Sequence, residues 1–187
     1  MTNGLIIKLG IFLILSISLV YISRASLLVP RSHGFYRFFA WECILGLFLL
    51  NVDAWFRNPF SPAQLISWLF LLVSAFLVLH AAFLLRRLGS LNSNRQDVPL
   101  IGIEKTTRLV TIGAYRYIRH PLYSSLLFLA WGIFFKSPRL VPGILAIAAT
   151  LFLVATAKAD ESASIRFFGH SYKEYMERTK MFIPFFF

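Results

Sequence analysis

Two groups of ionisable side chains, far apart in the sequence, are the residues best suited to chemistry. Arg119 and His120 stand at the start of an apolar stretch that Pro121 opens, and Asp160 and Glu161 follow the next apolar stretch. Proline is tolerated at a first helical position because the N–H it lacks has no partner there. Cationic and anionic side chains in one place can bind a ligand that itself carries charges. We expect any chemistry of this protein to take place at the ends of the two apolar stretches that carry these side chains.

The two groups are predicted to lie close to one level. The apolar stretches Leu122–Phe135 and Leu140–Ala157 are joined by little more than the sequence KSPR, which forces an antiparallel helical hairpin. At about 1.5 Å per residue, His120 lies roughly 24 Å and Asp160 roughly 32 Å from the turn, a difference of about 8 Å. The same layer receives three tyrosines, Tyr115, Tyr117 and Tyr123.

These polar residues also have a simpler interpretation as membrane anchors with ion-pair partners. Their concentration in one hairpin favours a binding site, because anchors alone would be spread over all helices. Adjacent helical residues point about 100° apart, so Asp160 and Glu161 are not expected to face one small pocket together. His80, inside another apolar stretch, is expected to bond a neighbouring helix rather than line a cavity.

The composition identifies an integral membrane protein. Of the 187 residues, 58% are hydrophobic and 14% charged, which is more apolar surface than a soluble core of this size can hide. The net charge is +11, and the basic residues lie between the apolar segments. Membrane topology and contact with anionic lipid headgroups explain these residues better than binding of nucleic acid. Cys43 is the single cysteine, so no intrachain disulfide or thiolate metal site is possible.

The predicted fold is all-α, with about five transmembrane helices, a C-terminal helical hairpin and a short cytosolic helical tail. The whole chain forms a single membrane domain, in which residues 1–86 supply three N-terminal helices and residues 109–187 the hairpin and tail. In the tail, Ser171 and Glu174 match the capping box S-x-x-E and predict the start of a helix. The five predicted spans are Leu5–Ile22, Phe38–Asn51, Pro62–Leu85, Leu122–Phe135 and Leu140–Ala157.

The basic residues predict the orientation. With five spans, 15 of the 19 Lys and Arg residues fall on the side that holds the Arg119 and Asp160 groups. The positive-inside rule then places the N-terminus outside and the C-terminus in the cytosol, in the cytoplasmic membrane if the source is prokaryotic. The oligomeric state cannot be predicted from the sequence.

Several kinds of site are missing from the sequence. It contains no G-x-G-x-x-G or P-loop, and its polar segments, including Gly89–Arg108, are too short for a soluble nucleotide domain. No spacing of His, Cys or Asp indicates a metal site, and no Ser stands in a hydrolase elbow sequence. A cofactor would therefore have to be held by the membrane helices and the tail.

The C-terminal half carries the motifs of a known family. The run L-V-x-x-G-x-Y-x-x-x-R-H-P-x-Y spans Leu109–Tyr123, an acidic pair follows the hairpin, and F-G-x-x-Y-x-x-Y spans Phe168–Tyr175 before Pro184. In these motifs the chain resembles the isoprenylcysteine carboxyl methyltransferases and the related phospholipid methyltransferases. The resemblance covers roughly the last 80 residues, and both halves occur in order and at the right separation.

The resemblance implies S-adenosylmethionine bound between the hairpin and the tail. Asp160 would then meet the charged groups of the cofactor. We expect Asp160, or Glu161 in its place, to pair with the amino group of the cofactor, and His120 to contact its carboxylate or ribose. Arg119 and Glu161 are the predicted catalytic residues, and Arg119 would position the acceptor or support the fold. The other predicted cofactor-binding residues are Thr107, Arg108, Leu109, Val110, Tyr115, Pro121, Leu122 and Tyr123.

The chain departs from the family at two positions. Asp160–Glu161 replaces the usual Glu–Glu pair, and Thr156 stands where prenylcysteine enzymes have an arginine that holds the substrate carboxylate. The second difference bears on the acceptor more than on the cofactor. Open acceptors are a prenylated cysteine, a phospholipid amine, a small thiol and another lipidic acid.

The predicted function is S-adenosylmethionine-dependent methyl transfer to a membrane-embedded or lipidic acceptor. Two alternatives remain. One is a non-catalytic membrane scaffold that binds anionic lipid through its basic, aromatic surface. The other is a membrane enzyme like the sterol reductases, which uses a nicotinamide cofactor.

Overall fold

The computed structural model describes residues 2–89 and 106–186, and the prediction of an all-α protein is confirmed there. Within these ranges no β-strand occurs, and an isolated bridge pairs Ile118 with Lys180. Most of the predicted connection Gly89–Arg108 lies outside the described residues. The helices are α1 (Thr2–Leu27), α2 (His33–Asn51), α3 (Pro62–Leu88), α4 (Pro121–Phe134), α5 (Leu140–Phe168) and α6 (His170–Arg178).

Four of these helices, α1, α2, α3 and α5, are long and apolar enough to cross a membrane. In α1, no residue of the 18-residue apolar stretch is buried within the protein, so the side chains of this stretch are suited to face lipid. These helices indicate a membrane protein. Helix α4 is apolar but has only 14 residues, so the count of five spans stays a prediction.

The helix bounds differ from the predicted segments at several positions, two of which have a clear local cause. Helix α2 begins at His33 instead of Phe38, because the Ser32 hydroxyl caps it by accepting a hydrogen bond from the Phe35 N–H (3.1 Å). The predicted capping box is wrong, since α6 begins at His170 and Ser171 lies inside the helix. Gly169 ends α5 with φ of 61°, the positive φ that glycine adopts without strain, and α6 follows at once.

Helix α2 packs mainly on α5, and α3 on α4. The contact between α3 and α4 depends on small and hydroxyl side chains. Ser67 Oγ donates to the Gly132 carbonyl and Ser74 Oγ to the Ser125 carbonyl, both at 2.7 Å. A Cβ at Gly132 would lie 3.0 Å from Leu71 side-chain atoms and 3.3 Å from the Leu71 nitrogen, so Gly132 allows the two helices to approach closely.

We expect Gly132→Val to lower the free energy of unfolding by about 1–3 kcal/mol, because the added side chain forces α3 and α4 apart. Gly10→Val is the control, since a Cβ at Gly10 meets no atom within 4 Å. Thermal unfolding in one detergent compares the two variants. Equal destabilisation would show that the loss comes from valine in a helix and not from the α3–α4 contact.

The hairpin turn is fixed at the end of the bundle opposite the α4 entrance. Asn51 Nδ2 donates to the Ile133 carbonyl (2.9 Å), and Gln64 Nε2 donates to the Lys136 carbonyl (3.1 Å). Lys136 Nζ donates to Gln64 Oε1 (3.0 Å) and lies 3.2 Å from the centre of the Trp68 ring. Burial lowers the pKa of Lys136 from its ordinary value. These contacts set the position from which α4 and α5 run to the candidate site.

Candidate active site

The approach to α4 is a short 3₁₀ turn, Gly113–Arg116, held against α3. The Ala114 N–H donates to His80 Nε2 (3.3 Å), so His80 bonds the turn before α4 and not the long neighbouring helix that was expected. Gly113 has φ of 60°, and a Cβ built there would lie 2.6 Å from His80 Nε2 and from Leu84 Cδ1. Both the backbone conformation and the close approach therefore require glycine at this position.

We expect Gly113→Ala to displace the turn and to cost more stability than the backbone conformation alone explains. Gly169→Ala is a matched control, because Gly169 also has a positive φ (61°) but a Cβ there meets nothing within 4 Å. Positive φ strains the backbone in both variants, and the ψ of −130° at Gly169 adds to the strain in Gly169→Ala, because side chains avoid that conformation more strongly than the left-handed helix. Only Gly113→Ala adds the clash, so its free energy of unfolding should fall at least as far as that of Gly169→Ala, and a smaller fall would contradict the close approach of Gly113 to His80.

The C-terminal segment after α6 pairs in parallel with the residues before α4. The Lys180 N–H donates to the Tyr117 carbonyl (3.0 Å), and the Arg119 N–H donates to the Lys180 carbonyl (2.8 Å). Ser124 Oγ, inside α4, donates to the Phe182 carbonyl (2.8 Å), and the Phe182 side chain is buried. The end of the chain thus fixes the backbone that carries Arg119 and His120.

Arg119 joins three elements. Its Nε donates to Glu161 Oε1 of α5 (2.6 Å), and its Nη1 donates to the carbonyls of Met176 (3.2 Å) and Thr179 at the end of α6. The side chains of Arg119 and Glu161 are each 10% exposed. The two predicted catalytic residues therefore contact each other in a buried ion pair that ties the tail to the hairpin.

His120 lies between the two carboxylates of α5. Its Nδ1 is 3.6 Å from Asp160 Oδ2, and its Nε2 is 3.4 Å from Glu161 Oε1. The imidazole stacks on the Tyr123 ring at 5.4 Å between centroids, and the Tyr123 hydroxyl donates to Asp160 Oδ2 (3.3 Å). These contacts confirm that His120 and Asp160 face the same layer, as the hairpin geometry predicts.

A cavity of about 100 Å³ opens beside this cluster. Asp160 lines it and Glu161 does not, so only one carboxylate of the pair faces the cavity, in agreement with their angular separation on the helix. Thr107 is the predicted cofactor residue that lies outside the lining. The predicted residues that line it are Arg108, Leu109, Val110, Tyr115, Arg119, His120, Pro121, Leu122, Tyr123 and Asp160.

Two tyrosines of α6 close the cavity from the tail side. The Tyr175 hydroxyl donates to the Tyr115 carbonyl (2.6 Å), and Tyr172 is buried beside it. Burial raises the pKa of both hydroxyls above the ordinary value, and the negative charges of Asp160 and Glu161 raise that of Tyr172 further. Both tyrosines are therefore neutral at physiological pH and bring no negative charge to the cavity.

Known proteins resemble this chain at modest identity. A methanethiol S-methyltransferase of Pseudomonas deceptionensis is 26% identical over 121 residues, or 64% of the chain. One of Crocosphaera subtropica is 27% identical over 153 residues (79%), and methanethiol S-methyltransferase 1 of Bradyrhizobium diazoefficiens is 29% identical over 121 residues (63%). The chain covers 42%, 55% and 39% of these three relatives, about half their length. No family model and no solved structure matches the chain.

The relatives confirm the resemblance to the isoprenylcysteine carboxyl methyltransferase-like family. The motifs of this family of membrane methyltransferases are the segments that meet at the cavity. Among residues 2–89 and 106–186, no three His, Cys, Asp or Glu side chains are grouped in a way that could hold a metal ion.

Some lining residues were missed as site residues from the sequence. Ser164 and Phe168 follow Asp160 at intervals of four residues, which places all three on one face of α5. The helical repeat was therefore the sequence signal that could have identified Ser164 and Phe168 as lining residues. Tyr172 and Tyr175, like Phe168, belong to the motif F-G-x-x-Y-x-x-Y, which by itself assigns them no role. Thr106 and Leu85 also line the cavity, and for Leu85, on α3, no sequence signal existed, because its position depends on how α3 packs against the turn.

Proposed function

We propose that this chain transfers a methyl group from S-adenosylmethionine, in the cavity between α4, α5, α6 and the turn before α4. The observation that carries the proposal is the contact between His120 and Asp160, which come from two helices and meet at 3.6 Å on the cavity wall. The relatives, named as S-methyltransferases, support the same class of reaction.

The chemistry of the lining suits this cofactor. S-adenosylmethionine supplies an activated methyl group on a sulfonium, so the chain needs no covalent catalyst. Asp160 offers a carboxylate for an ammonium group, and the rings of Tyr115, Tyr123, Phe168 and Tyr172 offer faces that attract cations. The cavity, about 100 Å³, is smaller than the roughly 300–1,000 Å³ of typical ligand pockets. We therefore expect the wall to move outward when the cofactor binds.

The residues have separate roles in this proposal. Asp160 and His120 bind the charged groups of the cofactor, with His120 directed to its carboxylate or ribose. The buried pair of Arg119 and Glu161 positions the tail and the imidazole, which is the fold-supporting role that was open for Arg119. The chain holds the acceptor in line with the methyl group and excludes water.

For the acceptor we propose a thiol that partitions into the bilayer. The names of the relatives support a thiol, and the apolar helices around the hairpin support entry from the membrane. Thr156, buried and bonded to the Phe152 carbonyl, supplies no charge for a carboxylate acceptor. The lipidic acceptors considered above remain the alternatives to test.

The proposed orientation places the cavity at the cytosolic headgroup layer. Arg24, Arg86, Arg87 and Arg166 stand at the ends of α1, α3 and α5 that lie on this side. A water-soluble cofactor enters there from the cytosol, and an apolar acceptor enters from the bilayer.

Ligand binding to the purified protein tests the proposed cofactor. S-adenosylmethionine should raise the melting temperature and give a binding isotherm in calorimetry, since a ligand bound only by the native state stabilises it. Stabilisation by a nicotinamide nucleotide instead would favour the reductase alternative. No stabilisation by either would favour the scaffold.

Transfer of labelled methyl groups tests the acceptor. Protein in proteoliposomes is incubated with labelled S-adenosylmethionine and with methanethiol, a longer alkyl thiol or a total lipid extract. We expect label in the thioether products. Label that appears only in lipid or in prenylated peptide would overturn the thiol proposal and keep methyl transfer.

A further inference from the structure

A second depression lies on the outer side of the candidate site, between the turn before α4 and helix α6. It is a groove of about 680 Å³, and Arg116, Arg178, Glu174, Ser171 and Thr111 supply its polar lining. Leu109 and Tyr175 line both this groove and the cavity, so the two are separated by one layer of side chains. None of the roles proposed above uses the groove.

The charges of the groove favour an anion. Arg116 and Arg178 are exposed, and neither guanidinium forms an ion pair with a described residue. Glu174 is the carboxylate of the lining, and it is engaged by His170 (Nε2 to Oε1, 3.2 Å) one turn before it on α6. Two guanidinium groups without acidic partners match the oxygens of a phosphate, to which Arg donates in a fixed planar geometry.

The rim of the groove favours a phosphate that belongs to a lipid. Tyr117 is 49% exposed and Phe185 83% exposed, and their rings lie 6.3 Å apart beside the two arginines. Phe186, which follows, is 89% exposed. Exposed aromatic rings next to cations are typical of the layer where lipid headgroups meet acyl chains. A soluble phosphate gains nothing from such rings.

We propose that this groove binds the headgroup of an anionic phospholipid, with the phosphate between Arg116 and Arg178 and the acyl chains against Tyr117 and Phe185. The bound lipid would lie against the outer side of the wall that Leu109 and Tyr175 form. The proposal does not depend on methyl transfer, because it concerns a different surface and a different ligand.

Native mass spectrometry of the full chain in detergent tests the site. We expect phosphatidylglycerol to bind about tenfold more tightly than phosphatidylcholine, and the double variant Arg116→Gln/Arg178→Gln to remove that preference. The control is Arg166→Gln/Lys173→Gln, which removes the same charge from exposed residues outside the groove lining and should keep the preference. Circular dichroism and melting temperature show whether each variant is folded. If a double variant does not fold, its two single variants are measured in its place.

Three results would overturn the proposal. If the groove variant and the control lost the preference for phosphatidylglycerol equally, only the total charge of the protein would matter. Equal binding of the two lipids by the unmodified protein would mean that there is no anion site. Displacement of phosphatidylglycerol by glycerol 3-phosphate at equal concentration would mean that the ligand is a soluble phosphate. Binding of S-adenosylmethionine is measured separately on the same samples. Failure of the lipid proposal can therefore be distinguished from failure of the cofactor proposal.

Discussion

Asp160→Asn is expected to lower the affinity for S-adenosylmethionine by roughly 10- to 100-fold, the range for losing one hydrogen bond to a charged group. Asp160 supplies the carboxylate that faces the cavity, whereas Glu161 is engaged by Arg119. The substitution keeps the shape of the side chain and an oxygen that can accept from Tyr123. Calorimetric titration of the variant and the unmodified protein measures the ratio of dissociation constants.

The same variant should keep nearly all of its stability, because the Asp160 side chain is 27% exposed and already partly solvated. Glu177→Gln, an exposed acid of α6 outside the cavity lining, is the control for the loss of one negative charge. His120→Ala should also weaken binding at least tenfold. Unchanged affinity in both Asp160→Asn and His120→Ala would refute the proposed cofactor site.

Arg119→Gln is expected to lower the free energy of unfolding by about 3–5 kcal/mol, because it leaves the Glu161 carboxylate buried without its cation. The variant also loses charge-assisted bonds to the Met176 and Thr179 carbonyls, so the tail should separate from the hairpin first. Thermal unfolding measures the loss, and hydrogen exchange of the amides in α6 and the tail locates it.

A double variant separates a positioning role of the ion pair from a catalytic one. Replacing a buried pair by apolar residues often costs little, so Arg119→Met/Glu161→Met should recover much of the stability that Arg119→Gln loses. If the pair only positions the tail, cofactor affinity and methyl transfer recover with stability. If stability returns and methyl transfer does not, Arg119 or Glu161 acts directly in the reaction, as first predicted from the resemblance.

The sequence predicted the convergence at the site because that convergence follows from helix geometry. The rise per residue and the short KSPR connection place His120 and Asp160 at one level, and 100° per residue separates Asp160 from Glu161. The same repeat would also have placed Ser164 and Phe168 on the cavity side of α5, although they were not predicted as site residues. These are local properties of a hairpin, and no distant contact is needed to deduce them.

Other features depend on contacts that no local pattern encodes. The S-x-x-E sequence predicted Ser171 as the N-cap of a helix, but the N-cap of α6 is Gly169, two residues earlier, because Gly169 turns the chain directly into α6. The pairing of Lys180 with Tyr117 and the burial of Phe182 join the last residues to the hairpin entrance. Tertiary contacts of this kind override short sequence signals, so the sequence did not indicate that the tail supports His120.

The backbone pairing of residues 180 and 181 with residues 117, 119 and 120 orders the events of biosynthesis. The helices can enter the bilayer one after another as the ribosome delivers them, but Phe182 must have left the exit tunnel before the backbone around His120 is held. A nascent chain arrested after α5 would therefore lack the contacts that hold His120, and we expect it not to bind the proposed cofactor. Binding would require residues 180–182 to fold back onto the entrance of α4.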